Sequence, residues 1–246
     1  MAVFRESAPA PVGEPSLRSP WVVAFAALTV VHLVLNAADA TPWDSITKCV
    51  LAPLLIGWVI EQKGPRLLAA ALAFCLLGDL LLELPEELFV AGMAAFAAAH
   101  LCFIRFFVQR GAIRRLRERF LIVPTLLVLG VLVVVWVWSG LDPGLQPVIP
   151  VYALLLVGTA ATALASDLRA GAGGVLFLVS DGIIAAAEAG RVDGDAPLTG
   201  LAVMGLYLAA IFLLTSGILA KERRTLAAGP DFDPARRTDC WPRLPA

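Results

Sequence analysis

The stretch GVLFLVSDGIIAAAEAG at residues 174–190 has the composition of an apolar helix interrupted by an aspartate, Asp181. A run of this length is typical of a membrane-spanning helix, because a hydrocarbon layer roughly 30 Å thick takes about 20 apolar residues. An aspartate at the centre of such a helix costs roughly 2.5 to 3.5 kcal/mol in insertion measurements. The segment therefore predicts a membrane fold and marks Asp181 as a candidate functional residue.

The composition extends this prediction to the whole chain. Hydrophobic residues make up 59% of the 246 residues and charged residues 16%, and the mean hydropathy is +0.84. A soluble domain of this size cannot bury so much apolar surface. The apolar runs lack the alternating pattern of barrel strands, which favours helices that satisfy their own backbone polar groups in lipid. We expect an all-α, multi-pass integral membrane protein.

Eight apolar segments are predicted to form a bundle of eight transmembrane helices, although the second is short for a full crossing. Their approximate bounds are 21–38, 48–61, 66–84, 88–108, 120–139, 147–166, 171–190 and 197–220. The predicted organisation is a disordered N-terminal tail at 1–20, a transmembrane domain at 21–220 and a cytoplasmic C-terminal tail at 221–246.

The basic residues predict the orientation of the bundle. With eight spans and the N-terminus inside, seventeen of the 19 Lys and Arg residues fall on the cytoplasmic side, and only Lys48 and Arg191 fall outside. Lys and Arg collect on the cytoplasmic side of short loops, so both termini are predicted to be cytoplasmic. The segment RGAIRRLRER at 110–119 is interpreted as a topology anchor that can also contact anionic lipid. The net charge of -1 gives no indication of nucleic-acid binding.

Two carboxylates lie inside the predicted spans, Asp79 in the third and Asp181 in the seventh. Because helical neighbours recur at i+4 and i+7, Glu83 shares a face with Asp79, and Glu188 shares one with Asp181. Further polar residues fall in the same central and outer layer of the membrane: His32, Asn36, Lys48, His100, Tyr152 and Tyr207. This clustering predicts a water-accessible cavity that opens outward, since isolated charges in lipid would each incur the insertion cost.

Structural roles are an alternative for each of these residues. The aspartates and histidines can form hydrogen bonds between helices, and Glu83 and Glu188 can lie at solvated helix ends. Lys48 can extend to the lipid headgroups, and the tyrosines can serve in packing. Two carboxylates in one small membrane protein nevertheless favour a shared site.

Paired carboxylates in different environments can supply the acid and the base for hydrolysis of a poorly activated bond. A metal mechanism is less attractive, because the two histidines lie on different spans without a diagnostic spacing. The cysteines form no CxxC pair, which argues against a zinc site or a disulfide framework. We therefore expect no metal and no cofactor.

Five short motifs, in order along the chain, resemble the YhhN-like lysoplasmalogenase family of eight-span membrane proteins. They are ThrLys at 47–48, GlyAsp at 78–79, Gly92 with Phe96 and His100, TyrAla at 152–153, and Phe177 with Ser180 and Asp181. The likeness extends from about residue 25 to 220. Three positions depart from the family pattern: Cys49 replaces a common proline, Gly174 a usual alanine and Ala210 a common glutamine.

The resemblance implies hydrolysis of the vinyl ether bond of lysoplasmalogens to a fatty aldehyde and glycerophosphoethanolamine or glycerophosphocholine. It implies that the substrate is a lysophospholipid with an alkenyl chain and that Asp79 and Asp181 are the essential pair. On this hypothesis His100, Tyr152 and Ser180 orient the aspartates, and Lys48 holds the phosphate. The other residues expected to bind or orient the substrate are His32, Asn36, Tyr207 and Glu83.

Two other functions remain as alternatives. In a proton-coupled transporter or lipid-binding membrane protein, Asp79 and Asp181 would carry protons rather than catalyse. However, the spans lack the pair of Gly/Pro-broken helices expected at a transport site. The second alternative is an intramembrane hydrolase of another lipid bond, such as an ester or an amide.

Overall fold

The computed structural model describes residues 14–84 and 88–227, and every regular element within them is a helix. The predicted all-α class is confirmed. The helices are α1 Pro20–Ala37, α2 Trp43–Glu61, α3 Arg66–Leu82, α4 Phe89–Gln109, α5 Ala112–Glu118, α6 Ile122–Trp138, α7 Val148–Leu164, α8 Leu168–Glu188 and α9 Pro197–Ala227. Most of the predicted N-terminal tail and the last part of the predicted C-terminal tail lie outside the described residues.

Prolines, glycines and one aspartate set many of the helix boundaries. Pro20 and Pro197 are the first residues of α1 and α9, and Pro65 is the N-cap of α3. Proline is tolerated there because the first turn needs no backbone N–H donor. Asp167 caps α8 by accepting two backbone N–H groups of its first turn, at 3.0 and 3.1 Å. Gly111 has a φ of 79° between α4 and α5, a left-handed conformation that glycine adopts without strain.

Eight of the helices coincide with the eight predicted segments, and α5 adds a short helix within the Arg-rich segment. The ends of two helices differ from the prediction. Helix α2 begins at Trp43 rather than at residue 48, with Asp44 in its first turn, where a carboxylate is favoured by the helix dipole. Helix α9 continues past residue 220 to Ala227, and an ion pair of 2.7 Å between Glu222 and Arg110 holds this extension. The predicted C-terminal tail thus begins as helix.

The helices confirm a multi-pass integral membrane protein. Within the described part of the chain, α1, α2, α4, α8 and α9 are long and apolar enough to cross a membrane. A sixth candidate span arises if α5 and α6 are counted together, although they meet at a bend of 92°. The remaining helices α3 and α7 each have 17 residues.

The packing of the helices leaves α6 at the periphery. Neighbouring contacts close a ring in the order α1, α2, α3, α4, α7, α8 and α9, and α9 also contacts α2 and α3. Helix α6 packs against α7 and, over a smaller area, against α8. One face of α6 is exposed at Val128, Val131 and Val135, as expected of a lipid-facing helix. The space between α6 and the ring contains the site described below.

Small residues bring α8 and α9 into close contact. A Cβ atom at Gly173 would lie 2.7 Å from the carbonyl oxygen of Ala210, and one at Gly217 would lie 2.6 Å from the backbone nitrogen of Ala170. Neither site has room for a larger residue. Small residues at such crossings let helix backbones approach in a membrane, where packing drives helix association.

Polar contacts at one end of the bundle join segments that the charge pattern assigns to the same side of the membrane. They include Ser19–Glu61 at 2.5 Å, Arg169–Glu14 at 2.9 Å, Lys221 Nζ–Ser166 O at 3.0 Å and Arg224–Glu14 at 3.3 Å. The last pair joins a residue that precedes α1 to one near the end of α9. The first and last described segments therefore lie at the same end of the bundle.

Candidate functional site

A cavity of about 660 Å³ lies between α6 and the ring of helices. Most of its wall is apolar, and its polar side chains come from five different helices. They are Lys48 of α2, Asp79 of α3, Tyr152 of α7, Ser180, Asp181 and Glu188 of α8, and Tyr207 of α9. The structure therefore brings six of the predicted site residues, together with Glu188, into one space.

Asp79 is almost completely buried, with 2% of its surface exposed. The hydroxyl of Tyr207 donates a hydrogen bond to Asp79 Oδ2 at 2.7 Å. The preceding Gly78 allows the ring of Phe96 to approach the α3 backbone, since a Cβ at Gly78 would lie 2.5 Å from Phe96 Cε2. The same ring contacts Tyr207 edge-on, with 5.9 Å between ring centroids. Gly78 and Phe96 thus fix the geometry of the Tyr207–Asp79 pair.

Asp181 has an equivalent arrangement, in which a different tyrosine holds the carboxyl group. The hydroxyl of Tyr152 donates a hydrogen bond to Asp181 Oδ2 at 2.5 Å. The hydroxyl of Ser180 instead donates to the backbone carbonyl of Val203 at 2.9 Å. Ser180 therefore joins α8 to α9 and positions Asp181 through the backbone. Each aspartate is held by one tyrosine from a different helix.

His100 lies behind the cavity wall rather than in it. Its side chain is fully buried, and Nδ1 lies 3.1 Å from Thr159 Oγ1. The imidazole packs edge-on against Phe177, with 4.6 Å between centroids, and against Tyr152, with 5.8 Å. His100 is therefore linked to Asp181 through Tyr152.

Lys48 and Glu83 form an ion pair at one end of the cavity, with 2.8 Å between Nζ and Oε1. Glu83 follows the last residue of α3, one turn beyond Asp79, and lies at the rim. Burial raises the pKa of the Glu83 carboxyl, but the Lys48 ammonium outweighs this effect and holds the pKa below its usual value. Glu83 is therefore ionised at neutral pH. We call the end of the cavity at the Lys48–Glu83 pair the mouth of the cavity.

His32 and Asn36 do not line the cavity. His32 is buried, and its Nδ1 lies 3.0 Å from Thr47 Oγ1 and 3.2 Å from the carbonyl oxygen of Asp44. It thereby holds the start of α2 against α1. Asn36 lies beside α9, where a Cβ at Gly200 would be 3.1 Å from its Oδ1. The hydrogen bonds of His32 favour its structural alternative, whereas the buried Oδ1 of Asn36 has no hydrogen-bond partner among the described residues.

The apolar wall of the cavity was not predicted from the sequence. One part of it, here called the apolar lobe, is formed by Leu126 and Leu129 of α6 and by Val175 and Leu178 of α8. Apolar residues in an apolar span look the same in the sequence whether they face lipid or a cavity, so no signal marked them. The cavity thus combines a charged mouth, two carboxylates and an apolar chamber, an arrangement that suits an amphiphilic lipid.

Two of the departures from the family pattern lie at helix contacts. Ala210 is fully buried beside Gly173 and does not line the cavity. At Gly174, a Cβ would lie 2.8 Å from Ala160 Cα, so α7 and α8 approach more closely than an alanine allows. Both departures therefore affect helix packing rather than the lining of the cavity.

Two kinds of comparison relate this chain to known proteins. The model of the YhhN family matches residues 43–218. The chain is 31% identical over 209 residues to the Homo sapiens protein named lysoplasmalogenase TMEM86B. The matched region covers 81% of this chain and 86% of that protein. It is 30% identical over 245 residues to a lysoplasmalogenase of Mycobacterium tuberculosis, and that match covers 90% of this chain and 92% of that protein. No solved structure matches the chain.

Proposed function

We propose that this chain, which belongs to the YhhN family, is a lysoplasmalogenase. It hydrolyses the vinyl ether bond of a lysoplasmalogen and releases a fatty aldehyde and glycerophosphoethanolamine or glycerophosphocholine. The observation that carries the proposal is that Asp79 and Asp181, each held by a tyrosine, line one cavity with an apolar lobe and a charged mouth. The names of the relatives in human and Mycobacterium tuberculosis support the same substrate class.

The proposed topology has eight spans, α1 to α4 and α6 to α9, with both termini in the cytoplasm. The distribution of Lys and Arg supports it, as does the contact between Glu14 and Arg224 at one end of the bundle. The helices of 17 residues are about 26 Å long at 1.5 Å per residue. A bilayer accommodates such a small mismatch by local thinning.

The substrate lies with its alkenyl chain in the apolar lobe and its phosphate at the mouth. Burial of the chain against Leu126, Leu129 and Leu178 supplies affinity at roughly 25 cal/mol for each Å² of apolar surface removed from water. Lys48 binds the phosphate as the cation in the cavity wall. The vinyl ether bond, which joins the chain to the glycerol, then lies at the level of the aspartates.

The reaction begins with protonation of a carbon atom. Vinyl ethers are stable to base but are cleaved after a proton is added to the double-bond carbon that does not carry the oxygen. Asp181 donates this proton, and the carbon bonded to oxygen becomes an oxocarbenium centre. Asp79 accepts a proton from a water molecule as that water attacks the centre and forms a hemiacetal. Asp79 then returns its proton to the glycerol oxygen while the hemiacetal hydroxyl gives its proton to Asp181. The aldehyde leaves, and both aspartates regain their starting state.

The roles of the two aspartates follow from their surroundings. Asp181 is on α8, which also supplies Val175 and Leu178 to the apolar lobe, so it is the carboxyl beside the chain. Asp79 lies one turn from Glu83, at the charged end of the cavity, and we infer that it is the carboxyl group closer to water. An acid next to the alkenyl carbon and a base next to the water are what the reaction requires.

Product analysis tests this function. Purified protein in a nonionic detergent is incubated with a lysoplasmalogen and, separately, with the matched 1-acyl lysophospholipid, and fatty aldehyde and fatty acid are quantified. We expect aldehyde from the first substrate and no fatty acid from the second. Aldehyde trapped by rapid reduction should carry one deuterium at the carbon next to the carbonyl carbon when the reaction runs in D2O, and ¹⁸O at the carbonyl oxygen when it runs separately in H2¹⁸O. Fatty acid release, or no release from folded protein, would overturn the proposal.

A further inference from the structure

The charges around the cavity are strongly unbalanced. Among the described residues that line it, Lys48 is the one cation, whereas Asp79 and Glu188 are carboxylates and Asp181 is a third carboxyl group, protonated at the start of the proposed reaction. Glu83 adds a further carboxylate at the rim, 2.8 Å from Lys48. A ligand with an uncompensated phosphate would therefore meet more negative than positive charge. Repulsion between like charges weakens the binding of such a ligand. It therefore favours competing ligands whose phosphate is accompanied by a positive charge.

The ion pair at the mouth is accessible to a ligand. The side chain of Lys48 is 15% exposed and that of Glu83 is 29% exposed, so neither is sealed inside the protein. An ammonium has three N–H donors, and a carboxylate has about four acceptor positions. Both groups can therefore keep their mutual contact and still bind a further charged group.

The Glu83 carboxylate is held in place before any ligand binds. It accepts a hydrogen bond from Lys48 of α2, while Ser45 of α2 and His32 of α1 lie close enough to interact with it. Ser45 and Lys48 share the first turns of α2, so the end of α3 is tied to the start of α2. A group fixed in this way loses little entropy when a ligand binds.

We propose that the Lys48–Glu83 pair selects zwitterionic headgroups, with Lys48 binding the phosphate and Glu83 binding the ammonium of the same lysolipid. In phosphoethanolamine and phosphocholine the two charges are separated by two carbons, so one headgroup can present an anion to Lys48 and a cation to Glu83. Lysolipids with an anionic headgroup, such as phosphoglycerol, lack the cation and are disfavoured. This inference rests on the proposed function for the orientation of the lipid, and it adds Glu83 as the residue that determines headgroup specificity.

The test measures binding, so that it does not depend on hydrolysis. Ether-linked 1-O-alkyl lysophospholipids, which lack the vinyl bond, are titrated into the full-length protein in a nonionic detergent. Binding is followed by tryptophan fluorescence, because Trp136 lies in the cavity wall. Lipids with the ethanolamine and the glycerol headgroup and the same chain are compared. We expect the wild type to bind the ethanolamine lipid at least roughly tenfold more tightly.

Three variants make the comparison specific. Glu83→Gln should reduce the preference by roughly tenfold, because it weakens binding of the ammonium and leaves Lys48 free to attract an anionic lipid. Glu83→Asp keeps the carboxylate and should keep a preference for ethanolamine. Asp195→Asn removes the same charge from an exposed position in the loop between α8 and α9 and should leave the preference within about twofold of the wild type.

Two outcomes would overturn the proposal. One is a wild type that binds both lipids equally, and the other is a Glu83→Gln variant whose preference changes no more than that of Asp195→Asn. A loss of preference in Glu83→Asp as large as in Glu83→Gln would also count against it, since the charge would then not matter. If the headgroup preference is found but no lysoplasmalogen is hydrolysed, the proposed reaction fails while the headgroup site stands.

Discussion

The hydroxyl of Tyr207 donates a hydrogen bond of 2.7 Å to Asp79, a residue 128 positions away in the sequence. This bond joins the last helix of the chain to the third and fixes one carboxylate in the cavity wall. Tyr152 makes the corresponding bond to Asp181 from α7. The tyrosines therefore determine where the carboxylate oxygens point, and the proposed chemistry depends on them.

Removing one of these hydroxyl groups should slow catalysis without unfolding the protein. Tyr207→Phe retains the ring packing against Phe96 and Phe177, and Tyr152→Phe retains that against His100, but each variant loses a hydrogen bond to an aspartate. A hydrogen bond to a charged group is worth about 1.5 to 3 kcal/mol, so kcat should fall by roughly tenfold or more with little change in KM. Steady-state aldehyde release measures both parameters. A change confined to KM would show that the tyrosines bind substrate instead.

Gly78 should tolerate no side chain, whereas Gly205 should accept one. A Cβ at Gly78 would meet the Phe96 ring at 2.5 to 2.9 Å, while one at Gly205 has no other atom within 4 Å. Gly78→Ala should cost about 1 to 3 kcal/mol of stability through overpacking and should lower turnover by displacing Phe96 from Tyr207. The control Gly205→Ala should leave both unchanged. Melting in detergent and aldehyde release test the pair of variants, and equal effects would contradict the packing described for Gly78.

Filling the apolar lobe should shorten the preferred chain. Leu178 lines this lobe, so Leu178→Trp adds bulk where the alkenyl chain is proposed to lie. The ratio of kcat/KM for a long-chain to a short-chain lysoplasmalogen should fall by roughly tenfold. Val131→Trp makes a similar change on the exposed face of α6 and should leave that ratio unchanged. If both variants have the same effect, the chain does not occupy the apolar lobe.

The headgroup preference should be stable to mild acid. Lys48 holds the pKa of Glu83 below its usual value of 4.5, so the carboxylate stays ionised while pH falls from neutral to that region. The ion pair is therefore fully formed above the unfolded pKa and is lost only as pH falls through the lower folded one. The titratable groups that interact electrostatically with Glu83 are Lys48 and Cys49 of α2, His32 of α1 and Asp79 of α3, and Ser45 of α2 also lies beside it. Binding of the alkyl lysolipids should show a constant preference from about pH 8 to pH 5. A preference lost near pH 6 would implicate a different group.

Much of the fold could be predicted because the apolar runs end at prolines, glycines and polar residues. The convergence of Asp79, Asp181, Lys48 and Tyr152 on one cavity also followed from their similar depth in helices that alternate in direction. The depth of a residue in the membrane, however, does not determine how its helix is rotated about its own axis, and so does not determine which way the side chain faces. A helix that is apolar all round has no face marked by its sequence.

Because the orientation of each helix about its axis was unknown, several features of the site could not be predicted from the sequence. It could not place His100 behind Tyr152 rather than in the cavity, since both positions lie at the same depth. It also could not distinguish Leu126 and Leu129, which line the cavity, from Val128 and Val131, which face outward on the same helix. The peripheral position of α6 depends on contacts between helices, which a single sequence does not encode.

The most direct test of the two-aspartate mechanism is the turnover of Asp79→Asn and Asp181→Asn with a lysoplasmalogen as substrate. Each variant keeps the size of the side chain and an oxygen that can accept the tyrosine hydroxyl, but neither can donate or accept a proton as a carboxyl does. Binding of the ether-linked lysolipid and the melting temperature in detergent serve as controls for folding. We expect each variant to release aldehyde at least about a hundredfold more slowly than the wild type. Near-normal turnover in either folded variant would contradict the mechanism.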